Sequence, residues 1–245
     1  MNELSVQLYS VRDAFATDPD RTLGRLAEIG FTQVEPYGIL ENVESLRAGL
    51  TGNGLTAPTA HAALLGDGVD RHAVFAAAAG LGIAVVIEPK VEQARWQRSA
   101  DIAATASALN DAAKVAAEHG VAVGYHNHWW EPAAQADGRS GLEVLAEHLD
   151  PAVVLEVDTY WAVAGGADAP ALLRRLGDRV RAIHVKDGGL ALDGSGQVPA
   201  GQGRLPLDEV LDAAPNALRV VEFDRHDDIF DGLAASLRRL RGAAR

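Results

Sequence analysis

The chain has 245 residues, 48% of them hydrophobic, and a formal net charge of −12. That length supports a sizeable core and the apolar fraction excludes a disordered chain, while the acidic balance disfavours nucleic acid, whose phosphates draw on clustered Lys and Arg. With no cysteine there is no disulfide, no thiolate metal site and no cysteine nucleophile.

Met1–Gln7 lacks the basic start and apolar core of a signal peptide. No apolar run approaches the ~20 residues of a membrane span. The expectation is a soluble, cytoplasmic protein with no membrane association. Leu4–Tyr9 alternates with period two and predicts a first strand. Asp18 as N-cap, Pro19 in the first turn and Gly30 at the end bracket a helix with Leu23, Leu26, Ala27 and Ile29 on its apolar face. Thr32–Pro36 predicts the second strand, 42–50 a helix, and Leu55–His61 a third strand weakened by Pro58. A helix over 69–79 precedes Ile83–Glu88, a continuous apolar run ending in a charge, as in a strand buried on both faces. A long alanine-rich helix over 99–119 leads to a strand beginning at Val121. Then follow a helix at 142–149, a strand at 153–157, a helix from Asp168 to Leu176 and a strand at 180–185. Residues 187–206, rich in Gly and Pro, read as a long functional loop. A helix at 207–213, a strand at 218–222 and a helix at 229–240 close the chain.

Eight strands alternating with helices predict parallel pairing by right-handed crossovers. In this length they favour one (β/α)8 TIM barrel spanning 1–245 over an open sheet. The first turn, Tyr9-Ser10-Val11-Arg12-Asp13, has no glycine for a phosphate loop, and neither a P-loop nor a nucleophile elbow occurs.

In such a barrel the active site lies at the C-terminal strand ends, and there the charged residues gather. Alternation sends His126 and His128 to one face, as it does Glu156 with Asp158 and His184 with Lys186. Nitrogen and carboxylate donors without thiols suit Mn2+, Mg2+, Co2+ or Zn2+. Such an ion beside two sugar oxygens would polarise a carbonyl and stabilise an enediolate. Taken singly, each group has a plainer role: a hydrogen-bonded histidine, a Glu156 satisfied by the next strand, a local Lys186–Asp187 ion pair. For Asp158, His184 and Glu222 together on three consecutive strands the functional reading prevails, because burying that polarity without a ligand or mutual pairing is costly. His61 and Glu88 end strands and are candidates to line the pocket. Glu35 reads as a structural carboxylate. Trp129, Trp130 and Trp161 would stack on a sugar ring or pack as core or lid. Arg12 would meet an anionic substrate or lie free on the surface. His72, His119, His148 and His226 are assigned no role.

Several motifs together resemble the xylose isomerase-like TIM-barrel superfamily, the sugar phosphate isomerases and epimerases. They are Val6-Gln7-Leu8-Tyr9-Ser10-Val11-Arg12-Asp13, Val34-Glu35-Pro36-Tyr37-Gly38, Tyr125-His126-Asn127-His128 with Glu131, Leu155-Glu156-Val157-Asp158-Thr159-Tyr160-Trp161, His184-Val185-Lys186-Asp187, Gly201-Gln202-Gly203 and Val221-Glu222-Phe223-Asp224. The resemblance covers nearly the whole chain and is not specific for a substrate. It implies one divalent metal held by Glu, Asp, His and Glu. The last three carry over onto Asp158, His184 and Glu222. The first falls on Gly124, and His126, His128 or Glu156 would replace it; His126 is the preferred ligand. The missing glutamate also moves a proton in ketose epimerases, so Glu156, a histidine or Lys186 takes that part or the chemistry differs.

The resemblance thus implies a metal-dependent sugar or keto-sugar isomerase or epimerase working through a metal-stabilised enediolate. Glu222, Glu156, Lys186 and His128 would be catalytic, and Tyr9, His61, Glu88, Asn127 and Trp161 would contact substrate. The alternatives are a metal-dependent lyase or dehydratase on a 3-keto-sugar, and a non-catalytic sugar-binding barrel. Endonuclease IV shares the fold, but the acidic charge argues against it. The absence of a clear basic clamp points to an unphosphorylated sugar, and assembly as a homo-oligomer is compatible with all three readings.

Overall fold

The computed structural model describes residues 4–133, 135, 136 and 139–242; Met1–Glu3, where the N-terminal expectation begins, lie outside them. Seven strands form one parallel sheet: β1 (Leu4–Val6), β2 (Thr59–His61), β3 (Val85–Glu88), β4 (Ala122–His126), β5 (Val153–Asp158), β6 (Val180–Val185) and β7 (Leu218–Val221). Their order is β1-β7-β6-β5-β4-β3-β2, so from β2 to β7 each strand lies beside its sequence neighbour, the last lies beside the first, and β1 and β2 form the two edges. The sheet is therefore curled, and the C-terminal strand ends converge on one side.

The expected second strand, Thr32–Pro36, is replaced by isolated parallel bridges. Glu35 bridges Gln7 beyond β1, while Gln33 and Tyr37 bridge Thr56 and His61 on the β2 side. Pro36 has no N–H to continue a ladder, yet its carbonyl accepts from His61 N at 2.8 Å. This segment joins both edges of the curled sheet.

The helices start where local chemistry dictates. Asp18 accepts from the Arg21 N–H, Pro19 occupies the first turn, and Gly30 ends the helix Pro19–Ile29 at φ 113°, a left-handed backbone that suits glycine. The helix Ser99–Glu118 lays Ile102, Ala106, Leu109, Ala112 and Ala116 against the sheet, and the alanines permit close approach. The helices Arg12–Thr17 and Thr159–Ala164 were not expected from the sequence. The first strand ends at Val6, three residues early, and a 3-10 turn over Leu8–Val11 follows. Within 187–206 a short antiparallel hairpin pairs Asp187–Gly188 with Gln197–Val198. Among the described residues no helix is long and apolar enough to cross a membrane.

Candidate active site

Alternation within strands builds two tiers of polar side chains at the convergent ends. His61 ends β2, His126 ends β4, Glu156 and Asp158 close β5, His184 lies in β6 with Lys186 just beyond it, and Glu222 follows β7. In register His126 pairs with Glu156, and Asp158 with His184. All seven are buried.

The deeper tier is centred on one oxygen. Glu156 Oε2 lies 2.7 Å from His61 Nε2, 3.0 Å from His126 Nδ1 and 3.0 Å from His184 Nε2. The rings of His61 and His184 are parallel, 5.4 Å apart. Beside them, Glu35 Oε1 lies 2.7 Å from His184 Nε2 and 3.2 Å from His61 Nε2. Gln7 Nε2 donates to the same Glu35 oxygen at 2.8 Å, and Thr59 Oγ1 donates to the other.

The upper tier is organised by an ammonium group. Lys186 Nζ lies 2.8 Å from Glu222 Oε2, 3.0 Å from Asp158 Oδ2 and 3.1 Å from Asp224. Glu222 Oε2 also faces His184 Nδ1 at 2.6 Å. Asp158 Oδ1 caps the helix Thr159–Ala164 through Trp161 N, whereas its Oδ2, despite the nearby ammonium, makes no aligned hydrogen bond among the described residues. Gln197 fixes Asp224: its Nε2 donates to Oδ2, and its Oε1 accepts from Asp224 N, both at 2.7 Å. Above this floor opens a cavity of about 880 Å³, which His61, His126, His128, Lys186, Glu222 and Asp224 line from below.

Burial and neighbouring charge divide these groups sharply. Burial alone would lower His184, but Glu156, Glu222 and Glu35 push it well above the usual imidazole value. Burial also opposes the charge on His61, yet Glu35 and Glu156 raise it. Glu222 would rise on burial, but Lys186 and His184 hold it well below the usual carboxylate range. Glu156 is likewise held down by His184 and His61 against its burial. Burial raises Asp158 to about 6, even with Lys186 opposing it. Burial lowers His126 to about 3 and His128 to about 2. Both are therefore neutral near pH 7, and His128 Nδ1 is buried without a partner among the described residues.

Asp158, His184 and Glu222 bring one donor atom each within 4.8 Å of one another. His126 belongs instead to the group His61, His126, Glu156 and His184, and its Nε2 stands 3.8 Å from Asp158 Oδ2. Gly124 lies below both tiers: a Cβ there would meet Ile87 Cγ1 at 2.9 Å. An apolar neighbour fills the space into which a glutamate at Gly124 would reach.

The remaining candidates are spread out. Glu88 Oε2 accepts from Leu64 N and Leu65 N at 2.6 and 2.9 Å and so ties down a loop. Asn127 bridges β4 to β5, accepting from Asp158 N at 3.0 Å. Trp161 packs under Lys186, whose Nζ is 5.3 Å from its ring centroid. Tyr9 lines the cavity rim. Arg12 donates to the carbonyls of Tyr9 and Asp224. Trp130 stacks on His128 with centroids 4.5 Å apart.

Two participants were not recognised from sequence. Glu35, read as structural, joins the deep tier, and its only local signal was a buried-type strand stopping at a proline. Gln197 carried no signal, being one polar residue in a loop.

The profile of the xylose isomerase-like TIM barrel matches residues 23–234. No curated protein matches the chain. Among solved structures, a sugar phosphate isomerase/epimerase of Parabacteroides distasonis superposes with TM-score 0.82 at 20% identity, covering 99% of this chain and 94% of that one. A probable 3-DHS dehydratase, AsbF, of Bacillus anthracis gives 0.77 at 16% identity, over 98% of each chain. The 3-keto-D-glucoside 4-epimerase YcjR of E. coli gives 0.74 at 17% identity, over 99% of this chain and 100% of that one. At these identities the likeness is one of fold.

Proposed function

Because the chain belongs to the xylose isomerase-like TIM-barrel family, we propose that it is a metal-dependent isomerase or epimerase of a sugar or keto-sugar. The observation that carries this reading is the upper tier: Asp158, His184 and Glu222 converge within 4.8 Å beneath an open cavity. In this reading residues 32–37 complete a (β/α)8 barrel around the site.

The donor set fits a divalent ion. Two carboxylates and an imidazole suit Mn2+, Mg2+, Co2+ or Zn2+, and Asp158 Oδ2 is a buried acceptor whose neighbour among the described residues, the Lys186 ammonium at 3.0 Å, is not aligned for a hydrogen bond. Bound there, the ion would supply Lewis-acid polarisation of a substrate carbonyl.

The protein groups then divide the remaining work. Glu222, ionised and facing the cavity, takes a proton from the carbon next to the carbonyl. Lys186 donates a hydrogen bond to a substrate oxygen, oriented from the side by Asp224. Neutral His128 offers a hydrogen bond to a substrate hydroxyl on the β4 side. Glu156 acts through His184 and His126, which it holds from below. Tyr9 and Tyr37, with ring centroids 5.6 Å apart at the rim, offer faces to a sugar ring. Among the described residues the fixed cations lining the cavity are Lys90 and Lys186, and three carboxylates already engage Lys186, which favours an unphosphorylated substrate.

The test is a panel of sugars and 3-keto-sugars incubated in heavy water with Mn2+ and read by mass and NMR. The expected result is product of conserved composition carrying solvent deuterium. Asp158→Ala and His184→Ala should lose both metal and turnover. Full activity in both variants, with no divalent metal in the purified protein, overturns the reading. Loss of water or an alcohol would reassign the chemistry to elimination. Ligand-induced stabilisation without deuterium uptake would reassign the protein as a binding barrel.

A further inference from the structure

The deep tier has a geometry that the proposed chemistry does not require. Three imidazole nitrogens from three different strands, His61 Nε2, His126 Nδ1 and His184 Nε2, point at one spot, now held by Glu156 Oε2 at 2.7–3.0 Å. All four donor atoms lie within 4.8 Å of one another. The other Glu156 oxygen, Oε1, is buried with no hydrogen-bond partner among the described residues. A small swing of this carboxylate frees the centre while keeping one oxygen as a donor.

We propose that His61, His126, His184 and Glu156 form a second cation site, selective for zinc-like ions, beneath the site of Asp158 and Glu222. Three nitrogens and one carboxylate match the tetrahedral coordination of Zn2+, with Zn–N distances of about 2.0–2.1 Å. Hard ions such as Mg2+ and Mn2+ prefer the oxygen-rich upper set. The second sphere is also in place: His184 Nδ1 faces Glu222 Oε2 at 2.6 Å, the carboxylate–histidine arrangement that fixes the tautomer of a metal-bound imidazole. Glu35 Oε1, held by Gln7 and Thr59, meets His184 at the same Nε2, 2.7 Å away, and would release that nitrogen when the ion binds. His61 and His126 line the cavity, so an ion reaches the site from above.

His184 belongs to both groups and presents a different ring nitrogen to each. A neutral imidazole has one lone pair to give, so while the ring keeps its N–H the two positions exclude each other. Four protein donors leave the deep ion no open position for substrate. Zinc would therefore silence the turnover that an ion in the upper site supports. That last consequence rests on the function proposed above; occupancy of the deep site does not.

The deciding measurement is the zinc-edge X-ray absorption spectrum of the wild-type protein loaded with one equivalent of Zn2+. Three imidazole ligands are expected from the deep site, and one from the upper site. Calorimetric titration adds the second arm. His61→Ala and His126→Ala should each weaken Zn2+ at least about 10-fold, a loss of the order seen for a metal site's supporting residues, and leave Mn2+ within a few-fold. Asp158→Asn should do the reverse. A one-imidazole spectrum, or variants that affect the two ions alike, overturns the proposal. A three-imidazole spectrum in a protein with no turnover on any sugar would uphold the deep site and defeat the proposed function instead.

Discussion

Lys186 Nζ meets Glu222 Oε2 at 2.8 Å beneath the cavity, and the same ammonium reaches Asp158 and Asp224. One lysine thus neutralises an acidic floor where a cation is otherwise required. Lys186→Met should leave buried carboxylates without a counter-charge, at a cost of about 3–5 kcal/mol in metal-free protein. Mn2+ should restore more stability to this variant than to the wild type. Urea unfolding with and without Mn2+ checks both statements; equal metal effects would refute the shared role.

Glu131 offers a pH test away from the metal tiers. Burial raises its carboxyl from the ordinary 4.5 to about 8, although Tyr125 OH donates to it at 2.8 Å. The folded state therefore keeps a proton that the unfolded chain releases. Its contribution is fully present below about 4.5 and is lost as pH climbs towards about 8. Glu131→Gln removes this titration. The variant should gain stability relative to the wild type by ~1.4 kcal/mol per pH unit across that window, and nothing further above it. Unfolding free energies measured across a pH series would show a flat difference if Glu131 titrates normally.

His128 is neutral, stacked on Trp130 and exposed to the cavity. Replacing it with Phe retains a ring for the stack and removes both nitrogens. Turnover should fall by about 10-fold, the order of one lost hydrogen bond to substrate, with metal content and melting temperature little changed. A variant that loses metal instead would make His128 a ligand.

Gly124 tests whether the deviating position could ever be a ligand site. Gly124→Ala places a Cβ 2.9 Å from Ile87 Cγ1 and should cost about 1–3 kcal/mol by overpacking. Gly124→Glu should destabilise further without raising metal affinity. A stable Gly124→Glu protein that binds Mn2+ more tightly would show that the glutamate can climb to the upper tier.

Most of the strands were legible because their apolar runs break off in a charged residue. That pattern located Asp158, His184 and Glu222 at one end of the sheet before any contact was known. Glu35 was missed because its partners Thr59, His61 and His184 are 24 to 149 residues away, and only curling of the sheet brings them together. The Thr32–Pro36 segment was misjudged in degree: its residues are extended and bonded on both sides, but Pro36 withholds the donor that a continuous ladder needs. The assignment of His126 was ambiguous for a further reason. Period two fixes the face of a side chain but not its depth, and depth separates the two donor groups.

The hairpin beyond β6 is held by Asp187, whose carboxylate accepts from the backbone N–H groups of Gly188, Gly201, Gly203 and Leu205. None of these bonds consults a side chain in the 189–196 turn. The anchor constrains where the loop starts and returns, and within the turn the backbone calls for glycine where it is left-handed, at Gly194 and Gly196. Residues such as Leu192, half exposed at the tip, can be exchanged without disturbing Gln197 or the carboxylate it steadies. The architecture thus lets the tip of the hairpin drift while the acidic floor stays as it is.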